Sequence, residues 1–271
     1  MSTVQVSAAR GSGPDAGGST GWQRVRALAR MELTLLMRNR SAAFVALLLP
    51  LVMVGSSYSS SRLIDLDDTS LSRADAVLTG GIGSVLLIVV YLGVLPVYVT
   101  RREERVLKRL RAGELRDLEI LAGAALPSVV LALAQCVVLV TAGTLLLDVR
   151  APASPLVLLL GVLLGVVLLS ALALATAGLT RTVESAQITG TPLLFISLFG
   201  SGLTVPLEVF PDRVASFLEL LPVTGVMRLV SGGWLGGLSA GELISAVAGA
   251  LAWTVLSVLA VRRWFYWEPR R

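Results

Sequence analysis

Six long apolar stretches, at 42–58, 76–100, 120–147, 155–179, 186–205 and 243–261, run through this chain of 271 residues, and none contains Asp, Glu, Lys, Arg or His. Crossing a hydrocarbon core of about 30 Å takes about 20 helical residues at about 1.5 Å each, and the stretches approach or exceed that length. Only helices and closed barrels satisfy every backbone group in lipid, and these runs are continuous rather than alternating. The expected fold is all-α, a polytopic bundle of six transmembrane helices occupying 41–263. A hydrophobic content of 55% and a mean hydropathy of +0.80 agree with it.

Basic residues orient the bundle, because loops rich in Lys and Arg stay on the cytoplasmic side. With the N-terminus inside, 18 of the 23 Lys and Arg fall on the cytoplasmic face, seven of them within 101–119. Both termini are then cytoplasmic. The pI of about 10.1 reflects these membrane-flanking clusters and the anionic lipid headgroups they favour, not a nucleic-acid partner. The single Cys136 lies in a span and can form no intrachain disulfide.

Residues 1–21 are rich in Gly, Ser and Ala and read as a disordered cytoplasmic tail rather than a cleavable signal. Gly17, Ser19 and Gly21 match the spacing of a hydrolase nucleophile elbow, but the chain has no His to act as base. In 22–40, Trp22, Val25, Leu28, Ala29, Leu33, Leu36 and Met37 recur at helical spacing among arginines, so an amphipathic helix at the inner surface is expected. It serves either as an anchor or as a moving element attached to the first span. Residues 264–271 form a second cytoplasmic tail.

The densest charge cluster is 101–119, between the second and third spans. Helix formers from Arg101 to Ala112 and the stop at Gly113 predict a helix of about three turns, with Val106, Leu107 and Leu110 as an apolar ridge. Glu104 and Lys108 stand at i,i+4, where an ion pair adds support. Such a helix is either a solvated, topology-setting loop or a ridge that docks into a groove on a soluble partner.

No energy source is visible on the chain. A P-loop requires Gly-Lys-Ser/Thr after a glycine, and the only Lys, Lys108, is followed by Arg109. A proton relay places ionisable groups inside the spans, and these have none. Gln135 in the third span reads as an interhelical hydrogen bond or a substrate contact. Gly161 and Gly165 form G-x-x-x-G, which permits close helix contact within the chain or at a dimer seam. Gly80-Gly81 and Gly232-Gly233 read as flexible or closely packed backbone near the outer surface. Arg181 and Glu184 read as an ion pair in the inner turn between the fourth and fifth spans. An enzyme would need convergent His, Asp or Glu at one face, and the outer carboxylates are scattered; the chain is expected not to be an enzyme and to carry no cofactor or metal.

The run Leu107-Lys108-Arg109-Leu110-Arg111-Ala112 resembles the first intracellular loop of permeases in the type-2 ABC exporter family, which includes drug- and antibiotic-resistance permeases and polysaccharide exporters. Arg38-Asn39-Arg40 with Leu49-Pro50-Leu51, and Ser201-Gly202 with Pro206-Leu207-Glu208, Pro211 and Pro222, resemble it too. Members commonly have Gly-Thr where this chain has Arg105-Val106, and a Pro near the position of Glu114, departures that bear on which ATPase it accepts.

The resemblance implies a bacterial plasma-membrane permease that works as a dimer with a second copy or a paralogue. A separate cytoplasmic ABC ATPase would bind ATP and Mg. Glu104, Leu107, Lys108, Arg109, Leu110 and Arg111 would form the ATPase-coupling interface. The segment of Pro206, Glu208, Pro211 and Pro222 would fold back as short re-entrant helices between the fifth and sixth spans, as an outward gate or a structural plug. Glu208, Asp212, Arg213, Glu219 and Arg228 would then lie at the external interface. The expected cargo is a hydrophobic or amphiphilic small molecule such as a drug or antibiotic. A lipid-linked polysaccharide permease is the nearest alternative, and a non-transporting sensor or membrane-embedded enzyme the alternative of another class.

Overall fold

The computed structural model describes residues 48, 52, 55, 73–103, 117–146, 150–203 and 211–264. All elements among them are helical. The expected tail 1–21, the expected helix 22–40, the expected coupling residues Glu104, Leu107, Lys108, Arg109, Leu110 and Arg111, and Pro206 and Glu208 lie outside the described residues. So does the first apolar stretch, apart from Leu48, Val52 and Gly55, which are helical.

Among the described residues four helices are long and apolar enough to cross a membrane: Ala74–Glu103, Glu119–Leu145, Pro155–Leu179 and Ala240–Arg263. The first of these comprises α1 (Arg73–Val85), a π-helical turn (Leu86–Leu92) and α2 (Gly93–Glu103). Then follow α3 (Asp117–Leu146), α4 (Pro155–Leu179), α5 (Val183–Gly200), the short α6 (Asp212–Leu218) and α7 (Thr224–Leu235), and α8 (Ala240–Trp264). The fifth apolar stretch, predicted at 186–205, falls largely in α5, which starts earlier, at Val183, and ends earlier, at Gly200.

The wide turn in the second apolar stretch has a cause in the packing. Leu86, Val90, Val94, Tyr98 and Arg102 form one buried row, and Leu87, Tyr91, Leu95 and Val99 another. Both rows repeat every fourth residue. On an α-helix of about 3.6 residues per turn such a row would drift by about 40° at each step. The π turn absorbs the surplus and keeps the stripe facing its neighbours, α4 and α5.

Helix α4 is the centre of the bundle and touches α2, the π turn, α3, α5, α7 and α8. It begins with Pro155 in its first turn, where a missing N–H costs nothing. Just before it, the Ala153 and Ser154 amides donate to the carbonyls of Trp234 and Gly233 at 3.0 and 2.9 Å, closing the end of α7. At the same end of the bundle the Trp234 indole Nε1 donates to Asp75 Oδ1 at 2.8 Å, tying α7 to the start of α1.

The G-x-x-x-G motif of α4 is used inside the chain. A Cβ on Gly161 would stand 2.9 Å from Leu229 Cβ, and one on Gly165 2.9 Å from Val226 Cγ1 and 3.0 Å from Leu86 Cδ1. Both glycines are buried, so this stripe seats α7 and does not face a second copy. The Gly80-Gly81 and Gly232-Gly233 pairs are closely packed: a Cβ on Gly80 would meet the Leu203 carbonyl, and one on Gly233 the backbone of Leu158.

Candidate functional site at a junction of helix ends

Opposite the Asp75 end, the last turn of α2 meets the tight connection between α4 and α5. Sequence reasoning assigned Arg101, Arg102 and Glu103 to the start of a separate charged helix. They are instead the continuous end of α2, and Arg102 is fully buried. Its Nη1 donates to the Ala177 carbonyl at 2.8 Å, and its Nη2 to the carbonyls of Thr180 at 2.5 Å and Arg181 at 3.3 Å. The end of α4 presents carbonyls with spare acceptor capacity, that of Ala177 also accepting from the Thr180 amide at 3.3 Å, together with the negative end of its dipole. A planar guanidinium with several donors suits them better than an ammonium would.

The next residue does the converse. Glu103 Oε1 accepts from the Val183 amide at 3.2 Å, at the start of α5, where free amides and the positive dipole end favour a carboxylate. A capping box completes that terminus: the Ser185 amide donates to Thr182 Oγ1 at 3.3 Å and the Thr182 amide to Ser185 Oγ at 3.1 Å. Two adjacent, oppositely charged residues on one helix thus hold the end of α4 and the beginning of α5. Arg181 and Glu184, expected to pair, are both exposed, and Arg181 contributes its backbone carbonyl to the junction.

Deeper in the bundle the tyrosines of the same stripe add polar ties. Tyr91, on the π turn, shares a hydrogen bond with Thr176 Oγ1 at 3.1 Å and donates to the Gly190 carbonyl at 3.4 Å, bridging α4 and α5. Tyr98 donates to the Leu121 carbonyl of α3 at 3.2 Å. Replacing Tyr91 with Phe keeps the packing and removes the bridge, so a loss of about 1 kcal/mol is expected. Thermal denaturation in detergent checks it, and an unchanged midpoint for Tyr91→Phe beside a large drop for Tyr91→Ala would show that the ring, not the hydroxyl, carries the contact.

The structure places the other described candidate residues apart from this junction. Pro211 is the N-cap of α6, Pro222 is buried in the turn between α6 and α7, and Gln135 is buried on α3. Among the described residues no group of three His, Cys, Asp or Glu could hold a metal ion. Sequence reasoning missed the role of Arg102 because it ended the second span at the last apolar residue. The signal was present: the row Leu86, Val90, Val94, Tyr98 runs on in register to Arg102, so its face is the buried one.

A search among curated proteins finds no match. The family model described as ABC-2 type transporter matches residues 23–234, which contain the junction, the bundle core and α7. With most of its length matched and several membrane-spanning helices, the chain is a multi-pass membrane protein and belongs to the ABC-2 type transporter family as a permease subunit.

Proposed function

We propose that this permease works as a dimer in an ATP-driven exporter, with both termini cytoplasmic and six spans per chain, and is powered by a separate ATPase that docks on the segment 101–112. The junction at Arg102 and Glu103 is the observation that carries the reading. A push delivered just beyond Glu103 acts on a helix end that already grips α4 and α5 through four hydrogen bonds. Packed elements move as units rather than deform continuously, so displacement of the docking segment is passed to two spanning helices together. Leu107 and Leu110 enter the ATPase groove, and Glu104, Lys108, Arg109 and Arg111 set the electrostatic fit. ATP and Mg are held by the partner. The spans offer an apolar path, which supports a hydrophobic or amphiphilic cargo of drug or antibiotic type leaving the cell.

The test is co-purification in mild detergent with a co-expressed candidate ABC ATPase from the same genome, comparing wild type with Leu107→Asp/Leu110→Asp. The wild type is expected to retain the ATPase, and the variant to lose it while remaining monodisperse. Equal retention by both would remove the segment from the interface. No retention by the wild type would remove the exporter reading itself.

A further inference from the structure

Three of the helices that meet around the π turn carry a proline at the level where they touch. Gly93, which closes the turn, lies against α3: a Cβ there would stand 3.3 Å from Ser128 Oγ. Gly190 of α5 lies against the turn itself, where a Cβ would meet Leu95 Cδ2 at 2.7 Å, Leu92 Cδ2 at 3.3 Å and Tyr91 Cε1 at 3.6 Å. Pro96 soon follows Gly93 in α2, Pro127 precedes Ser128 in α3, and Pro192 soon follows Gly190 in α5, each inside its helix. A proline has no N–H, so the carbonyls of Leu92, Gly123 and Ile188, four residues earlier, lose the amide that a regular helix would supply. The π turn adds its own irregularity at the same level, since the Gly93 amide bonds the carbonyls of Ile88 and Val90 instead of that of Val89 between them.

Helix α4 crosses that level unbroken. Tyr91 bonds its Thr176 there, and the only proline of α4 is Pro155 in its first turn. On the Arg102 side of the level the segments are tied to one another: Tyr98 to the Leu121 carbonyl of α3, Arg102 to the end of α4, and Glu103 to the start of α5. On the Asp75 side α4 is seated on α7 at Gly161 and Gly165, Trp234 of α7 bonds Asp75, and Gly143 of α3 receives Leu78 of α1. Each half of the bundle is held together within itself, and between the halves the ladders of α2, α3 and α5 are interrupted. Sharp bends in helices concentrate at prolines and π bulges, so bending meets least resistance at this level.

We propose that Pro96, Pro127 and Pro192, together with the π turn, form one hinge belt across the bundle. At this belt the segments 93–103, 117–126 and 183–191 swing as a unit against the Asp75 half. Helix α4, gripped by Arg102 at its end, swings with them as a rod that pivots on its seam with α7. The driving force rests on the exporter reading: a push on the segment beyond Glu103 bends three helices at the belt, instead of shearing whole helices past α7. Packed elements have discrete arrangements rather than continuous ones, so the three bends occur together.

Double electron–electron resonance on the full-length chain in lipid nanodiscs tests it. Cys136→Ser removes the native thiol. One spin label goes at Leu251 of α8, and the other at Glu184 or at Phe199, exposed positions of α5 on either side of Pro192. Glu184 is about 12 Å from Pro192 along the helix at about 1.5 Å per residue, so a swing of about 20° moves its label by about 4 Å. The distance distribution from Glu184 to Leu251 should therefore be broader than that from Phe199 to Leu251 by about 4 Å. Pro127→Ala, which restores the ladder of α3 alone, should narrow the Glu184 distribution at least about twofold, although that label is on α5. A proline that only shapes its own helix would leave it unchanged. Pro96→Ala makes the same comparison from α2, should Pro127→Ala fail to give monodisperse protein. Equal widths for the two label pairs without either substitution overturn the hinge. A Glu184 distribution that the substitutions leave as broad overturns the sharing of one hinge between helices. Neither ATP nor the ATPase enters the measurement, so a failed co-purification would sink the exporter reading and leave these widths readable.

Discussion

Replacing Arg102 with Met is expected to destabilise the bundle by about 2–5 kcal/mol, the scale for leaving one or two buried carbonyls without their charged donor. The side chains are similar in apolar length, so packing is largely kept and the loss is polar. Hydrogen bonds from a charged donor contribute about 1.5–3 kcal/mol each, and two of those made by Arg102, to Ala177 and Thr180, are short at 2.8 and 2.5 Å. At this helix end the Ala177 carbonyl would keep only the long bond from the Thr180 amide, at 3.3 Å. Arg102→Lys should recover only part of the loss, because one ammonium cannot span carbonyls contributed by Ala177, Thr180 and Arg181 together. Glu103→Gln should cost well under about 1 kcal/mol, since its contact is exposed and a neutral oxygen still accepts from Val183. The measurement is the midpoint at which monodisperse protein is lost on heating in detergent. An Arg102→Met variant as stable as wild type would mean that the guanidinium is decoration, and the route from the docking segment to α4 and α5 would fall with it.

Where the helices run was legible because hydrocarbon thickness leaves a length signature in the sequence. The stretch 155–179 coincides with α4, and 243–261 lies inside α8. Departures cluster where polar groups are paired within the fold, which hydropathy cannot register. Arg102 lies beyond the second apolar stretch, which ends before Arg101, yet it is interior because α4 supplies carbonyls at that level. The π turn was hidden for a related reason: Ile88, Val89 and Val90 look like ordinary span, and the excess residue shows only in the four-residue spacing of the buried rows. Short helices between the fifth and sixth stretches were expected from family resemblance. That α7 would penetrate to the centre of the bundle was encoded in glycines, Gly225, Gly232 and Gly233, which composition alone cannot distinguish from loop.

Gly233→Leu is expected to prevent assembly of the bundle, yielding aggregated or rapidly degraded protein. Gly233 faces the backbone nitrogen and Cα of Leu158, so the atoms an added Cβ would strike belong to main chain and cannot rotate aside. Across the same seam Gly161 of α4 faces Leu229 Cβ at 2.9 Å and the Val230 nitrogen at 3.1 Å of α7. Each helix therefore offers a glycine to the backbone of the other, and any side chain at either position must push the two apart. Overpacking a well-packed core typically costs about 1–3 kcal/mol for a few methylenes, which sets the scale for Gly233→Ala. A leucine at this backbone contact exceeds it. Because α7 is held on α4, α8 and α1, separation at Gly233 also strains the Trp234 to Asp75 bond one residue away. Two other glycines separate this explanation from a general intolerance of substitution. Gly241, within α8, has open space where a Cβ would stand, so Gly241→Ala should be neutral or stabilise by up to about 1 kcal/mol through helix propensity. Gly237 also has open space but a φ of +84°, so Gly237→Ala should lose about 1 kcal/mol from backbone strain alone. If all three alanine variants lowered the melting midpoint equally, close approach of α4 and α7 would not be the cause. If only Gly233 and Gly161 proved intolerant, the seam would be fixed as the contact that admits α7 to the centre of the bundle.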